Sequence, residues 1–307
     1  MEESPMQPIH AINFAPFARR GALTGETARR ELARMAAQTG ADTVIFCPSA
    51  IQSGPFAQTI DFTGPAATAD EELLDITEAA RSLGLRVMWK PTVNCADGTW
   101  RAHINFFDHE VPCEPKWSVW FRQYTAFQTH FARLARQTKL ELLILGCEMT
   151  NTERREQDWR QLIAAVRSEY DGALSYNCDK YGEEYVTWWD ALDVICSSGY
   201  YPVDAIAHNL DRIEQVVNAL QKPFFFAEAG CMRVKGSAHV PNDWTLQGTP
   251  DDAEQTRWYR ALFDACRTRP WFGGYGLWAW PLTPHPEDYY HFRDKPALTV
   301  IRQEFQK

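Results

Sequence analysis

The chain carries few of the short signatures that mark the common enzyme classes. Its eight cysteines include no C-x-x-C spacing, which removes the usual zinc-ribbon and thioredoxin readings. No G-x-S-x-G string occurs, so a serine-hydrolase elbow is excluded. Histidine is scarce, at eight residues, and no cluster has metal-ligand spacing. Asn13-Phe14-Ala15-Pro16, following the first apolar run, lacks the glycines of a dinucleotide-binding turn. No apolar stretch reaches the length of a membrane span. Met1 to Pro8 has neither a basic nor an apolar region, so no signal peptide is visible. Lys and Arg number 31 against 40 Asp and Glu, a net charge of −9 that argues against nucleic acid or an anionic membrane as partner. Repeats, low-complexity tracts and interdomain linkers are also missing.

What is present is an alternation of apolar strands and amphipathic helices. Eight short runs read as buried strands: Ile9–Phe14, Thr43–Cys47, Arg86–Lys90, Leu142–Glu148, Ala173–Asn177, Val194–Ser198, Phe224–Glu228 and Gly274–Trp280. Between them, Trp120, Tyr124, Phe127, Phe131 and Leu134 form one helical stripe behind Ser118 as N-cap. Ala28, Leu32, Met35 and Ala36 form another, opened by Thr24 and closed by Gly40. Ile206, Leu210, Ile213, Val217 and Leu220 make a third, and Thr249-Pro250 starts a fourth with Tyr259, Leu262, Phe263 and Cys266. Eight strand–helix alternations predict a single (β/α)8 TIM barrel spanning residues 1–307. The patternless segments Pro48–Asp70, Thr92–Lys116 and Cys231–Leu246 all follow strands, which predicts loops walling an active-site face.

In such a barrel the functional groups stand at the C-terminal ends of the strands. Those ends carry Asn13, Pro48, Lys90, Glu148, Asn177, Tyr200 and Tyr201, Glu228, and Trp278 and Trp280. A carboxylate where a buried strand surfaces is costly without a task or a partner, and two of them, Glu148 and Glu228, suggest a paired-carboxylate hydrolase. Indole faces pack against the C–H faces of sugars, while amides, lysine and arginine bond their hydroxyls. The expected partner is therefore an oligosaccharide.

Longer strings resemble glycoside hydrolase family 113, the β-mannanases. They are Ile12-Asn13-Phe14-Ala15-Pro16-Phe17, Lys90-Pro91-Thr92-Val93-Asn94, Asp97-Gly98-Thr99-Trp100-Arg101, Gly146-Cys147-Glu148-Met149, Gly199-Tyr200-Tyr201-Pro202, Glu228-Ala229-Gly230 and Leu277-Trp278-Ala279-Trp280. The resemblance implies retaining cleavage of β-1,4-mannosidic bonds, with Glu148 as acid/base and Glu228 as nucleophile. It also implies substrate contacts from Asn13, Lys90, Asn94, Asp97, Trp100, Arg101, Asn177, Tyr200, Tyr201, Trp278 and Trp280, with no metal or organic cofactor. The wider clan often places Asn before the acid/base, where Cys147 stands here, and a thiol is a poor substitute for an amide.

Each residue also has a plainer reading. Either glutamate taken singly is a candidate for a structural ion pair, Asp97 and Arg101 for a loop-stabilising pair, one of the two tryptophans for barrel packing, and Cys147 for a small filler behind Glu148. The rival functions are another β-glycosidase specificity, toward β-glucosides or β-mannosyl-glucosamine, and a non-catalytic carbohydrate-binding barrel. Strand-embedded cysteines and the missing export signal predict reduced thiols and a cytoplasmic enzyme. In that setting imported manno-oligosaccharides or short β-mannosyl conjugates, trimmed by exo action, are the expected substrates.

Overall fold

A computed structural model describes residues 7–285 and 287–307. The reading of the first residues as free of a signal peptide falls largely outside them. Among the described residues, ten strands and eight α-helices follow one another. In order they are β1 (Ile9–Phe14), α1 (Gly25–Thr39), β2 (Thr43–Phe46), β3 (Ser49–Gln52), α2 (Asp70–Ser82), β4 (Arg86–Trp89), β5 (Thr92–Cys95), α3 (Trp117–Thr138), β6 (Leu142–Cys147), α4 (Thr150–Glu153), α5 (Glu156–Arg167), β7 (Leu174–Cys178), β8 (Ile195–Ser198), α6 (Ile206–Leu220), β9 (Phe224–Ala229), α7 (Asp252–Arg267), β10 (Phe272–Trp280) and α8 (Pro296–Phe305). Eight strands close a parallel barrel in the order β1-β10-β9-β8-β7-β6-β4-β2, and they are the eight runs read from the sequence.

The period-2 alternation of the strands separates two cores. Ile9, Ala11, Ile45, Met88, Leu142, Ile144, Val194, Cys196, Phe225 and Ala227 fill the barrel interior. Ile12, Phe14, Val44, Phe46, Leu143, Leu145, Phe224 and Phe226 belong to the larger cluster between barrel and helices. α3 buries its predicted stripe, and Gly40 closes α1 at φ 74 with its N–H on the Ala36 carbonyl. Two helix starts differ from expectation. α3 begins before Ser118 because Trp117 is already packed edge-on against Phe106 and Trp120; the Ser118 hydroxyl bonds Glu110 instead. α7 is capped by Asp251, whose carboxylate accepts the Ala253 and Glu254 N–H groups, rather than opened at Thr249. The segments after β2 and β4, read as patternless, pair as a second parallel sheet, β3 with β5, standing outside the barrel.

Three register shifts re-aim the strand ends, as bulges do. On β6 the shift falls between Ile144 and Cys147, where Gly146 adopts φ 110 and a Cβ would collide with the Tyr124 hydroxyl. On β9 it brings Glu228 opposite Ser198, so that Glu228 faces inward directly after Ala227. On β10, Leu277 pairs with Ile12 but Trp280 with Phe14, three residues against two.

Gly146→Ala should lower unfolding free energy by about 2–5 kcal/mol, from backbone strain and overpacking together. Urea denaturation checks this, and an unchanged midpoint would show that β6 tolerates a normal residue at the bulge.

Candidate active site

The bulges on β6 and β9 turn their final side chains into one cleft. A carboxylate oxygen of Glu148, one of Glu228 and the Cys147 sulfur all lie within 4.8 Å of one another. Glu148 sits just beyond β6 at φ 51, a left-handed conformation unusual for a residue with a side chain. Its own N–H bonds the Asn177 carbonyl at 2.8 Å, and the next N–H, of Met149, bonds the Tyr176 hydroxyl, which in turn donates to Glu153. This backbone is held from both sides.

The two carboxyl groups have opposite surroundings. Burial pushes Glu228 up, but the Lys90 charge and hydrogen bond, the Arg101 charge and the Cys147 S–H outweigh it and leave it below the usual range. Lys90 contacts Oε1, Cys147 Sγ donates to the same oxygen at 3.1 Å, and Tyr200 donates to Oε2 at 2.9 Å. Glu148 is pushed up to about 6 by burial first, then by the charges of Glu228 and Asp179, against the pull of Arg101 and Ser198. Ser198 donates to Oε1 at 2.7 Å; Trp100 Nε1 donates to Oε2 at 3.2 Å and Arg101 stands 3.5 Å from it. Near neutral pH the arrangement keeps one carboxylate ionised and leaves the other able to hold a proton. Cys147, Glu148 and Glu228 also have the spacing of a metal triad. Each carboxylate is already matched by a protein cation, and burial and the Glu228 charge keep the Cys147 thiol protonated, so this donor set suits a cation poorly.

Of the residues expected to meet substrate, Lys90, Trp100, Arg101, Tyr200 and Trp278 surround the two glutamates. Lys90 lies 5.5 Å from the Trp278 ring centroid, and Trp100 is 41% exposed beside Glu148. Trp278 walls a cavity of about 670 Å³ together with Phe17, Met232, Trp244 and Tyr290. That cavity adjoins the Tyr200 side of the pair and does not itself contain the two carboxylates.

The other expected contacts stand away from the two carboxylates. Asn13 is fully buried under the mouth, its amide spent on the Ala227 and Gly276 carbonyls. Asn177 is equally buried, one layer beneath the glutamates. Asn94 pairs with Ile51 in the small sheet and bonds neither carboxylate. Asp97 caps its own turn through the Thr99 N–H, and the expected pair with Arg101 does not form, because Arg101 turns to Glu148 and the Val93 carbonyl. Tyr201 points outward to Glu183, at 2.6 Å. Trp280 packs into the outer core near Phe292, since the β10 bulge breaks the alternation that would have kept it beside Trp278. Cys147 is more than a filler, as it touches Glu228. The sequence reading missed Ser198 and Asp179 near Glu148, Lys180 at 5.8 Å from the Trp100 ring centroid, and Phe17, Trp244 and Tyr290 along the cavity. Strand alternation through Val194 and Cys196 pointed to Ser198; nothing in the pattern singled out the loop aromatics.

A closed (β/α)8 barrel with two polarised glutamates at one mouth, flanked by indoles, defines a carbohydrate-hydrolase type of protein. The model of Glycoside Hydrolase Family 113 matches residues 12–294, and the chain belongs to that family. A glycoside hydrolase family 113 β-1,4-mannanase solved as a complex is similar at 44% identity and TM-score 0.96, over 98% of this chain and 100% of its own. A family 113 β-mannanase from Alicyclobacillus acidocaldarius, in complex with ManMIm, is similar at 37% identity and TM-score 0.93, over 98% of both chains. A β-glucuronidase of Faecalibacterium prausnitzii shares the fold alone, at 17% identity and TM-score 0.66, over 98% of this chain and 49% of its own. No curated, functionally described protein matches at the sequence level.

Lys90→Met should leave Glu228 buried without its cation, costing about 3–5 kcal/mol of stability at neutral pH. Protonation of Glu228 relieves that cost, so the deficit should shrink on acidification. Denaturation at pH 7 and pH 5 measures both, and equal deficits would mean that the pair does not hold Glu228 ionised.

Proposed function

We propose that the protein cleaves β-1,4-mannosidic bonds in manno-oligosaccharides or short β-mannosyl conjugates with retention of anomeric configuration. The observation that carries the reading is the close, oppositely polarised pair Glu148 and Glu228, with oxygens within 4.8 Å. Retaining enzymes hold their carboxyl groups about 5–5.5 Å apart, whereas inverting ones leave room for a water at about 6.5–9.5 Å. The family 113 relatives described as a β-1,4-mannanase and a β-mannanase support the choice of sugar.

In this reading Glu228 Oε attacks the anomeric carbon as the bond to the leaving oxygen breaks, and Glu148 supplies that oxygen with a proton. Glu148, now ionised, takes a proton from water as the water displaces Glu228 and releases the sugar. Tyr200 and Lys90 keep the nucleophile charged and oriented. Trp278 offers a face to the sugar at the Glu228 end of the cleft; Trp100 and Arg101 border Glu148, on the leaving-group side. The protein residues supply every proton and charge these steps require, and we assign no metal or organic cofactor. The eight free cysteines, one of them the exposed Cys113, support a reducing, cytoplasmic setting.

Proton NMR of the first product from mannotriose should show the β-anomer, and chromatography should show release from mannobiose to mannohexaose but not from gluco- or N-acetylglucosamine-terminated controls. An α-anomer first, or preference for the controls, would overturn the reading. Glu228→Ala should abolish turnover of every glycoside. Glu148→Ala should spare the first step on dinitrophenyl glycosides, with azide restoring the second. The profile of kcat/KM against pH should be a bell. Its alkaline limb should lie near pH 6, where Glu148 loses the proton that burial and Glu228 help it keep. Its acid limb should lie below the ordinary carboxyl range, where Glu228 is neutralised. An alkaline limb above pH 8 would assign the acid to another group.

A further inference from the structure

Beneath the cleft three side chains connect the two carboxylates. Lys90, which can only donate, contacts Glu228 Oε1 and reaches Asn177 Oδ1 at 3.4 Å. That contact fixes the amide, whose Nδ2 then donates to Ser198 Oγ at 2.9 Å and to the Cys178 carbonyl at 3.0 Å. Ser198 Oγ lies 2.7 Å from Glu148 Oε1. A serine hydroxyl has one hydrogen. With its oxygen accepting from Asn177, that hydrogen is directed at Glu148. The chain is directional, and Lys90, Asn177 and Ser198 are all buried away from water that could reorient it.

We propose that Ser198 is a positioning residue: the Lys90–Asn177–Ser198 relay keeps Glu148 Oε1 an acceptor, so the proton given to the leaving oxygen is carried on Oε2. This rests on the acid/base reading of Glu148 above. Oε2 is the oxygen beside Trp100 and Arg101, at the cleft wall. Both oxygens have a donor beside them, but the Ser198 contact on Oε1 is the shorter, at 2.7 Å against 3.2 Å from the indole, and Oε2 once protonated still accepts from the indole with its remaining lone pair. The relay therefore passes the orientation of the nucleophile's lysine to the acid on the opposite strand. Without it the proton divides between two oxygens, one of which faces the barrel interior.

Several charged and titratable groups surround Glu148. Glu228 on β9 and Asp179 after β7 oppose its ionisation, while Arg101 after β5 favours it together with the Ser198 hydrogen bond. Cys147 on β6, Glu153 on α4, Tyr200 after β8 and Tyr290 after β10 also stand within its field. Ser198 is uncharged and can be removed without changing this set.

The test uses the full-length enzyme, with kcat/KM followed against pH on mannotriose and on 2,4-dinitrophenyl β-mannoside. In Ser198→Ala, a donor to the ionised form of Glu148 is lost, and the alkaline limb should move up by roughly one pH unit. Mannotriose efficiency should fall about tenfold or more, while the dinitrophenyl substrate, whose departure needs no proton, should change less than about twofold. Ser198→Thr restores the hydroxyl and should bring the limb back. An unmoved limb, or an equal fall on both substrates, would overturn the relay. If Ser198→Ala does not fold, Asn177→Ala reads the chain one link upstream and should move the limb in the same direction; an unmoved limb there overturns it too. Glu148→Ala separates the two ideas. If it turns over oligosaccharides normally, the acid/base reading fails, whereas if it is crippled and Ser198→Ala leaves the limb in place, only the relay fails.

Discussion

Lys90 and Glu228 meet inside the barrel mouth almost out of reach of water, and the remainder of the site is arranged around their contact. A carboxylate desolvated to this degree stays ionised only with a partner of opposite charge close by. Lys90 supplies that charge from the end of β4, Tyr200 and Cys147 add hydrogen bonds from β8 and β6, and the β9 bulge turns the carboxylate to meet all three. The negative charge so maintained is one of the forces, after burial itself, that raises Glu148 across the cleft. One ion pair thus makes the first carboxylate anionic and helps make the second acidic. The same lysine orients Asn177, so the polarity of the layer below follows from it as well.

The glutamates were legible because a charged residue ending an unbroken apolar run is conspicuous in one dimension. The barrel was legible for a related reason: strands buried on both faces have no polar alternation to confuse with a helix. Tyr200 followed from the string Gly199-Tyr200-Tyr201-Pro202 after β8, and Trp278 from the last strand. The bulges were not legible. The sequence left one of Trp278 and Trp280 to barrel packing, and the extra residue on β10 sends Trp280 to the outer core. The string left Tyr200 and Tyr201 undistinguished, and the structure gives Tyr200 to Glu228 and Tyr201 to Glu183. Asn13 and Asn177 were read as substrate contacts because strand-end amides suggest sugar hydroxyls, but the barrel spends both on its own carbonyls and side chains. The loop aromatics Trp244 and Phe17 had no periodic pattern to place them, and only their approach to Trp278 in space gives them meaning.

The bulges also explain why the site accommodates a clan departure. Asn is usual in the wider clan where this chain has Cys147. The β6 register shift aims that side chain at Glu228, where an S–H on a buried carboxylate is weak but sufficient to fill a small gap. Lys90, approaching the same oxygen from β4, supplies the stronger contact. The position has kept its address and changed its chemistry.

The small parallel sheet of β3 and β5 has a consequence for how the wall beside Glu148 is held. It joins the segments after the second and third barrel strands and anchors the stretch that carries Trp100 and Arg101. The ladder ends at Cys95, and Arg101 is tied back to it by its Nε on the Val93 carbonyl, at 3.3 Å. The wall on that side of Glu148 is thus continuous with sheet hydrogen bonding, and a change in the β3–β5 pairing reaches Glu148 from outside the barrel.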